Sequence, residues 1–293
     1  MDNQNPLKQA ANNPLYQFYR KPGTYINLPS GGRFYKKAPK LTDSQELAVY
    51  PMTARDELIL KNPDALYNGE AVRQVLTSVL PDIADVNEMP AADVDMALVA
   101  MRMASYGDDL SLDVAHGCTE SKNRTQRITV GLGSIVSSMR PIDPATGKVI
   151  LSSGLEVHLR PYNLQDQARL LKAQFNSMRS MQVVEANKNL TVEERTAAAT
   201  REYDVIVMLS QDLLFGCVEK VVLPTGTEVT DRKYISEWLK NLDRASIKRL
   251  EDEIKKFQEF GIIREVDVKC DYCGEHYKSD MLFDPTSFFI EGS

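Results

Sequence analysis

Val266-Asp267-Val268-Lys269-Cys270-Asp271-Tyr272-Cys273-Gly274-Glu275-His276-Tyr277 decides how the rest of the chain is read. Extended, alternating residues flank a Cys-x-x-Cys-Gly step, so the chain closes as strand, knuckle, strand: Ile262 to Val268, the cysteine pair, then Tyr277 to Phe283. Two thiolates separated by two residues can share one tetrahedral ion, and the glycine lets the backbone turn beneath the sulfurs. A redox dithiol is the rival reading, but such a pair opens a helix after a strand, and here both flanks are extended. Two idle cysteines are the plain alternative.

One knuckle supplies two ligands, and zinc takes four. His116-Gly117-Cys118 offers a histidine and a thiol where a β-rich stretch begins. Ser121 stands three residues past Cys118, where a second cysteine would complete a regular knuckle, and His116 can take its place. His276 is the local alternative for the fourth position. Cys217, at the end of an apolar helix, reads as a core residue, and His158 alternates with Val157 and Leu159 and so points away from them. The expectation is one structural zinc on Cys270, Cys273, Cys118 and His116, clipping together segments about 150 residues apart, where loop closure is most costly.

Outward from the knuckle the chain divides into five stretches. Residues 1–27 form a polar arm broken by Pro6, Pro14, Pro22 and Gly23 and dotted with aromatics, fit to dock on a partner or on its own body. Such an arm contributes little core, so its removal is expected to spare folding. Residues 28–109 are mainly helical after a turn at Leu28–Arg33 and short strands at Phe34-Tyr35 and Glu46–Tyr50. Thr53 caps one helix, Glu70–Leu80 carries a stripe of Val72, Val75, Leu76 and Val79, and a third helix runs from Pro90 to Gly107 with Val94, Leu98 and Met101 inward. Residues 110–162 are the β-rich middle, with strands at Ile128–Val130 and Leu155–Leu159 around a hairpin turn at Asp143–Gly147. Residues 163–261 read as a helical insertion. Thr191 and Glu194 form a capping box before Tyr203, Ile206, Val207, Leu209 and Leu213, and Asp243 caps a helix of Ile247, Leu250, Ile254 and Phe257 stopped by Gly261. Residues 262–293 return as strands packing on the β-rich middle. The fold class is therefore α+β: helices plus a small β module of mid-chain and carboxyl-terminal strands, clipped by zinc.

Composition narrows function. With 43% hydrophobic and 26% charged residues, the 293-residue chain is globular rather than disordered. A net charge of -6 disfavours nucleic-acid binding, despite the basic cluster from Arg20 to Lys40. No apolar run is long enough to cross a bilayer and no signal segment opens the chain, so a cytoplasmic product is expected. The Gly-x-Ser-x-Gly elbow, the phosphate-binding glycine loop and His-Glu-x-x-His are all missing, and a zinc with four protein ligands is closed to substrate, so no enzyme is expected.

Several stretches, taken in order, resemble the baseplate hub and hub-assembly proteins of T-even type contractile-tailed bacteriophages. They are Leu28-Pro29-Ser30-Gly31-Gly32-Arg33-Phe34-Tyr35; Val49-Tyr50-Pro51-Met52-Thr53-Ala54-Arg55-Asp56-Glu57 with Leu66-Tyr67-Asn68-Gly69; Ala92-Asp93-Val94-Asp95 with Met101-Arg102-Met103-Ala104-Ser105-Tyr106-Gly107; Val157-His158-Leu159-Arg160-Pro161; and the knuckle with Asp284-Pro285-Thr286-Ser287-Phe288-Phe289. They span residues 28 to 290 as separated islands. In the family a mid-chain cysteine pair precedes a strand; this sequence departs by offering His116 and Cys118, which bears on the metal site more than on the family. The resemblance implies a non-enzymatic part in building the central hub, with other hub or tail proteins as partners. It places the protein in the virion baseplate or, during assembly, in the host cytoplasm. A tail-assembly chaperone acting on the tape-measure protein is the alternative, and a zinc-ribbon-like nucleic-acid adaptor a more distant one.

Overall fold

The computed structural model describes residues 14–62, 69–118, 125–187 and 191–280. Two hydrophobic cores organise them. The first is built on strands β1 (Thr24–Ile26) and β2 (Leu47–Val49) and helices α1 (Ala54–Leu60), α2 (Glu70–Val79) and α3 (Ala91–Tyr106). Thr53 and Asp56 close a reciprocal capping box on α1, and α2 buries the stripe of Val72, Val75, Leu76 and Val79. Helix α3 is the centre of this core: Ala92 to Arg102 are all buried except Asp95, because other elements surround it. Gly107 ends it at φ 92, a conformation that glycine alone adopts without strain.

Strand β3 (Asp109–Ala115) folds back on β4 (Thr125–Gly131), and the short helix α4 (Leu132–Ser137) returns the chain to α3. The second core begins with β5 (Lys148–Ile150) and β6 (Glu156–Leu159). A helical hairpin, α5 (Leu164–Ala186) and α6 (Val192–Gly216), then leads into β7 (Val218–Val222) and β8 (Glu228–Val229), which complete an antiparallel sheet in the order β5-β6-β7-β8. Helices α7 (Arg232–Lys240) and α8 (Arg244–Lys256) cover one face, burying Ile235, Leu239, Leu250 and Ile254 against Val149, Val157 and Val221. The chain ends in the hairpin β9 (Glu265–Lys269) and β10 (His276–Asp280).

Several expectations are corrected at this level. The strands of the middle do not share one sheet with the carboxyl-terminal strands: β9 pairs with β10 alone, β3 with β4, and β5–β6 with β7–β8. The stretch 163–261 is not wholly helical, since Val218–Val222 and Glu228–Val229 form a hairpin whose turn, Leu223-Pro224-Thr225-Gly226-Thr227, has ordinary turn chemistry. The turn at Asp143–Gly147 precedes β5 and does not join β4 to β6. Phe34-Tyr35 is not a strand: Phe34 has φ 72, which directs its ring into the second core, edge-on to Phe257 at 5.8 Å. Tyr203 and Val207 face outward rather than inward.

Of the amino-terminal arm, residues 20–26 dock on the chain's own body. Arg20 donates to the Pro51 carbonyl at 2.5 Å and to the Ser78 carbonyl at 2.7 Å, and β1 pairs with β2. Pro14, Leu15, Gln17, Phe18 and Tyr19 are exposed, and 1–13 fall outside the described residues, as do Ser121, Leu66–Asn68 and the strand end beyond Asp280.

Candidate metal centre

The knuckle between β9 and β10 is a tight loop. Cys270 N–H donates to the Glu275 carbonyl at 2.8 Å and Gly274 N–H to the Cys270 carbonyl at 2.9 Å, with Gly274 at φ 73. Facing it, the chain leaves β3 through His116 and Cys118. The His116 ring stacks on Tyr277 of β10, ring centres 4.3 Å apart and 9° from parallel. This stack orients the imidazole towards the knuckle. Gln126, at the start of β4, fixes the two hairpins: its Nε2 donates to the Lys269 carbonyl at 2.8 Å and its Oε1 accepts from Asp271 N–H at 2.9 Å. The Tyr272 hydroxyl donates to the Thr125 carbonyl at 3.2 Å.

His116, Cys118, Cys270 and Cys273 thereby come together, with one ligand atom from each lying within 4.8 Å of the others. Cys118 Sγ and Cys270 Sγ are 3.9 Å apart, and Cys273 Sγ stands 3.5 Å from His116 Nδ1. Two sulfurs at about 2.3 Å from a tetrahedral ion stand roughly 3.8 Å apart, and a sulfur–nitrogen pair somewhat closer, so the donor set fits zinc. Charge tells the same story. Although desolvation opposes ionisation, N–H groups of Cys273 and Tyr272 and the His116 ring bring the Cys270 thiol down to about 6. Cys273, despite the Glu275 N–H, is pushed up by the neighbouring thiols. Three crowded thiols cannot all ionise side by side unless a cation sits among them.

The other candidates lie elsewhere. His276 adjoins Tyr277 on a strand, so its side chain takes the opposite face and is exposed outside the cluster. Cys217 caps α6 inside the second core, where burial pushes its thiol up to about 12. His158 pairs with Glu156 at 2.7 Å on β6. Sequence reading missed Gln126 and Tyr277: an amide bridge and a ring stack leave no spacing pattern.

The stretches quoted for the resemblance also meet in space. Asp93, fully buried near the start of α3, accepts from Ser30 N–H at 2.8 Å, from Ser30 Oγ at 2.5 Å and from the Tyr35 hydroxyl at 2.8 Å. Burial pushes its carboxyl up to about 6, against those bonds and the nearby Arg33. Met52 N–H donates to Ser105 Oγ at 2.9 Å, and Tyr106 to Glu57 at 3.1 Å. Arg160 holds Asp166, the capping carboxylate of α5, at 2.6 Å. The first three of these stretches therefore form one hydrogen-bonded frame around α3, and Arg160 of the fourth anchors the start of α5. Across residues 24–290 the chain matches the family described as T4 bacteriophage base plate protein.

The chain belongs to that family. Comparisons with curated proteins and with solved structures gave no match. As a base plate family protein it is a structural component of the phage tail and baseplate, a setting in which it contacts other tail proteins. No helix among the described residues is long and apolar enough to cross a membrane.

Proposed function

We propose that this base plate family protein is a non-enzymatic component of the central hub, working through its protein surfaces, with one structural zinc on His116, Cys118, Cys270 and Cys273. The observation that carries the reading is that the family-matched side chains engage one another. Ser30 and Tyr35 bond to Asp93, Met52 to Ser105, and Tyr106 to Glu57, so these polar side chains are spent on holding α3 in place. Four protein donors leave zinc no open position, so bound metal supplies a cross-link and not a hydrolytic centre. Its partners are other hub or tail proteins, and its place is the virion baseplate.

A second reading, an assembly chaperone in the host cytoplasm that acts on the tape-measure protein, is favoured by one feature. Helices α5 and α6 expose Met178, Val183, Tyr203 and Met208, the kind of surface that shields another apolar segment. Quantitative mass spectrometry of purified virions separates the two. Stoichiometric copies are expected for a hub component; absence from mature particles that nonetheless fail to assemble without the protein overturns the hub reading.

A further inference from the structure

Two strand edges face each other across an open cleft. Among the described residues β4 pairs only with β3, and β9 only with β10. Register shows which backbone groups point into the gap, because residues of an antiparallel ladder alternate between bonding their partner and turning away. Cys270 N–H bonds the Glu275 carbonyl, which with the β9–β10 register turns Val268 and Val266 towards β10. Lys269, Asp267 and Glu265 therefore point outward. On the other wall, Leu132 N–H bonds the Asp108 carbonyl, so Thr125 and Thr129 point outward from β4. Both assignments are borne out by the bonds that cross the gap, since the Lys269 and Thr125 carbonyls are the ones reached by Gln126 and Tyr272.

The gap is held at both ends and open between them. At the metal end stand Gln126 and Tyr272. At the far end Ile263 N–H donates to Ser138 Oγ at 3.2 Å, and Arg140 forms a backbone bridge with Gly261. Between them lies a cleft of about 780 Å³ whose walls include Ile128, Thr129, Val130, Ile135, Val266 and Val268. Gln126 shows what fits. Its amide bonds the carbonyl of residue 269 and the N–H of residue 271, the two groups that a neighbouring strand would bond. One side-chain amide already stands in for a strand at the closed end, and below it the backbone groups of Thr129, Asp267 and Glu265 have no partner among the described residues.

We propose that the cleft between β4 and β9 is a strand-acceptor site, binding an extended segment of a partner polypeptide that completes a sheet in the order β3-β4-guest-β9-β10. The chemistry selects the guest. A helix is too wide and would leave the outward backbone groups unsatisfied. A strand satisfies them, and β9 and β4, five and seven residues long, bound the guest's length. Because Gln126 opens β4 while Lys269 closes β9, the walls run in opposite directions, so the guest is parallel to one and antiparallel to the other. Its alternate side chains rest on Val266 and Ile135, which calls for apolar residues at every second position. Two of the charged pairs at the walls close within their own hairpins, Arg127 with Asp113 and Lys278 with Glu265. This inference stands on the hairpin geometry and is independent of the hub reading.

The test uses the full chain with its metal and a fluorescent heptapeptide of alternating valine and threonine, compared with the same peptide N-methylated at alternate amides. The parent peptide is expected to bind and to slow amide exchange at Thr129 and Asp267. N-methylation should weaken it about tenfold or more, the loss expected for two ladder hydrogen bonds. Thr129→Pro removes an outward donor without touching the β3 ladder, and should weaken binding similarly while metal content stays unchanged. Should that variant misfold, the methylated peptide on the unaltered protein still decides. Equal binding of the methylated peptide, protection away from β4 and β9, or no binding at millimolar peptide each overturns the proposal. So does binding that appears only after residues 281–293 are deleted, since the chain's own terminus would then be the occupant.

Discussion

The sheet β5–β8 and the facing hairpins β3–β4 and β9–β10 show two ways of holding short strands together. The sheet is covered by α7 and α8, and five of its strand residues (Val149, Val157, Leu159, Val218 and Val221) are buried in the second core. The hairpins contain longer strands but bury only Leu110, Val114 and Val268 as apolar side chains. In their place stand the cysteine–histidine cluster, the Gln126 bridge and the His116–Tyr277 stack. Where apolar burial is thin, polar and metal-ligating side chains do the joining, and a hairpin too small for its own core is the usual setting for such a staple.

The largest expected effect follows from that contrast. Stripping metal with a chelator, or substituting Cys270→Ser, Cys118→Ser or His116→Ala, should free β9–β10 from β3–β4, while amide exchange in β5–β8 stays protected. Structural zinc contributes on the order of 10 kcal/mol in small zinc-binding peptides near neutral pH, well above any single packing contact here. Metal analysis of each variant sharpens the ligand set. Full zinc retention by both Cys118→Ser and His116→Ala, with loss in Cys270→Ser, would break the long-range clip and transfer the role to His276. A metal-free wild type would reduce the cluster to packing.

The converse is a cavity in the other region. Leu250 is fully buried on α8, and Leu250→Ala should cost about 2–5 kcal/mol in denaturant unfolding. Zinc content should not change. Metal lost along with the leucine would show that the two regions do not stand independently.

Asp93 joins by yet another device, a buried carboxylate, and its signature is pH. Burial raises its folded value to about 6, above an unfolded value of about 3.9, so the folded state holds the proton more tightly. Its contribution is therefore complete below about pH 4 and is lost as pH rises through about 6, on the order of 3 kcal/mol in all. Urea unfolding of wild type against Asp93→Asn isolates it: only the wild type should lose stability between pH 4.5 and 7. Parallel profiles would mean that Asp93 titrates normally.

Legibility in the sequence followed the same divide. Local chemistry was readable: Thr53, Thr191 and Asp243 cap the helices expected of them, and Glu70–Val79 buries its stripe. That His116, Cys118, Cys270 and Cys273 would gather was also readable, because thiols and imidazoles are scarce here and few combinations can complete a tetrahedron. Pairing between strands was not. Strands of three to five residues carry too little alternation to name a partner, so Val149 and Val157 could not announce that Val221 lay across the intervening helices. Phe34 was misread for a related reason: an aromatic pair resembles a strand until its backbone turns left-handed.

The helical hairpin α5–α6 supplies the smallest effect and the last contrast. Its helices run 23 and 25 residues, yet their buried side chains are confined to Leu164, Asp166, Ala198, Leu213 and Leu214. A pattern that places Tyr203 and Val207 a helical turn apart reads as an inward stripe, but a two-helix hairpin has only one inner seam, and these residues fall outside it at 69% and 45% exposure. Neither core therefore depends on them. Tyr203→Ser and Val207→Ser together should shift unfolding by no more than about 0.5 kcal/mol, the range of ordinary surface changes, and leave zinc content intact. A loss of several kcal/mol would show that α5 and α6 bury a seam through these positions and belong to the second core. Unchanged stability combined with defective tail assembly would place the hairpin's importance in what it touches rather than in what it holds together.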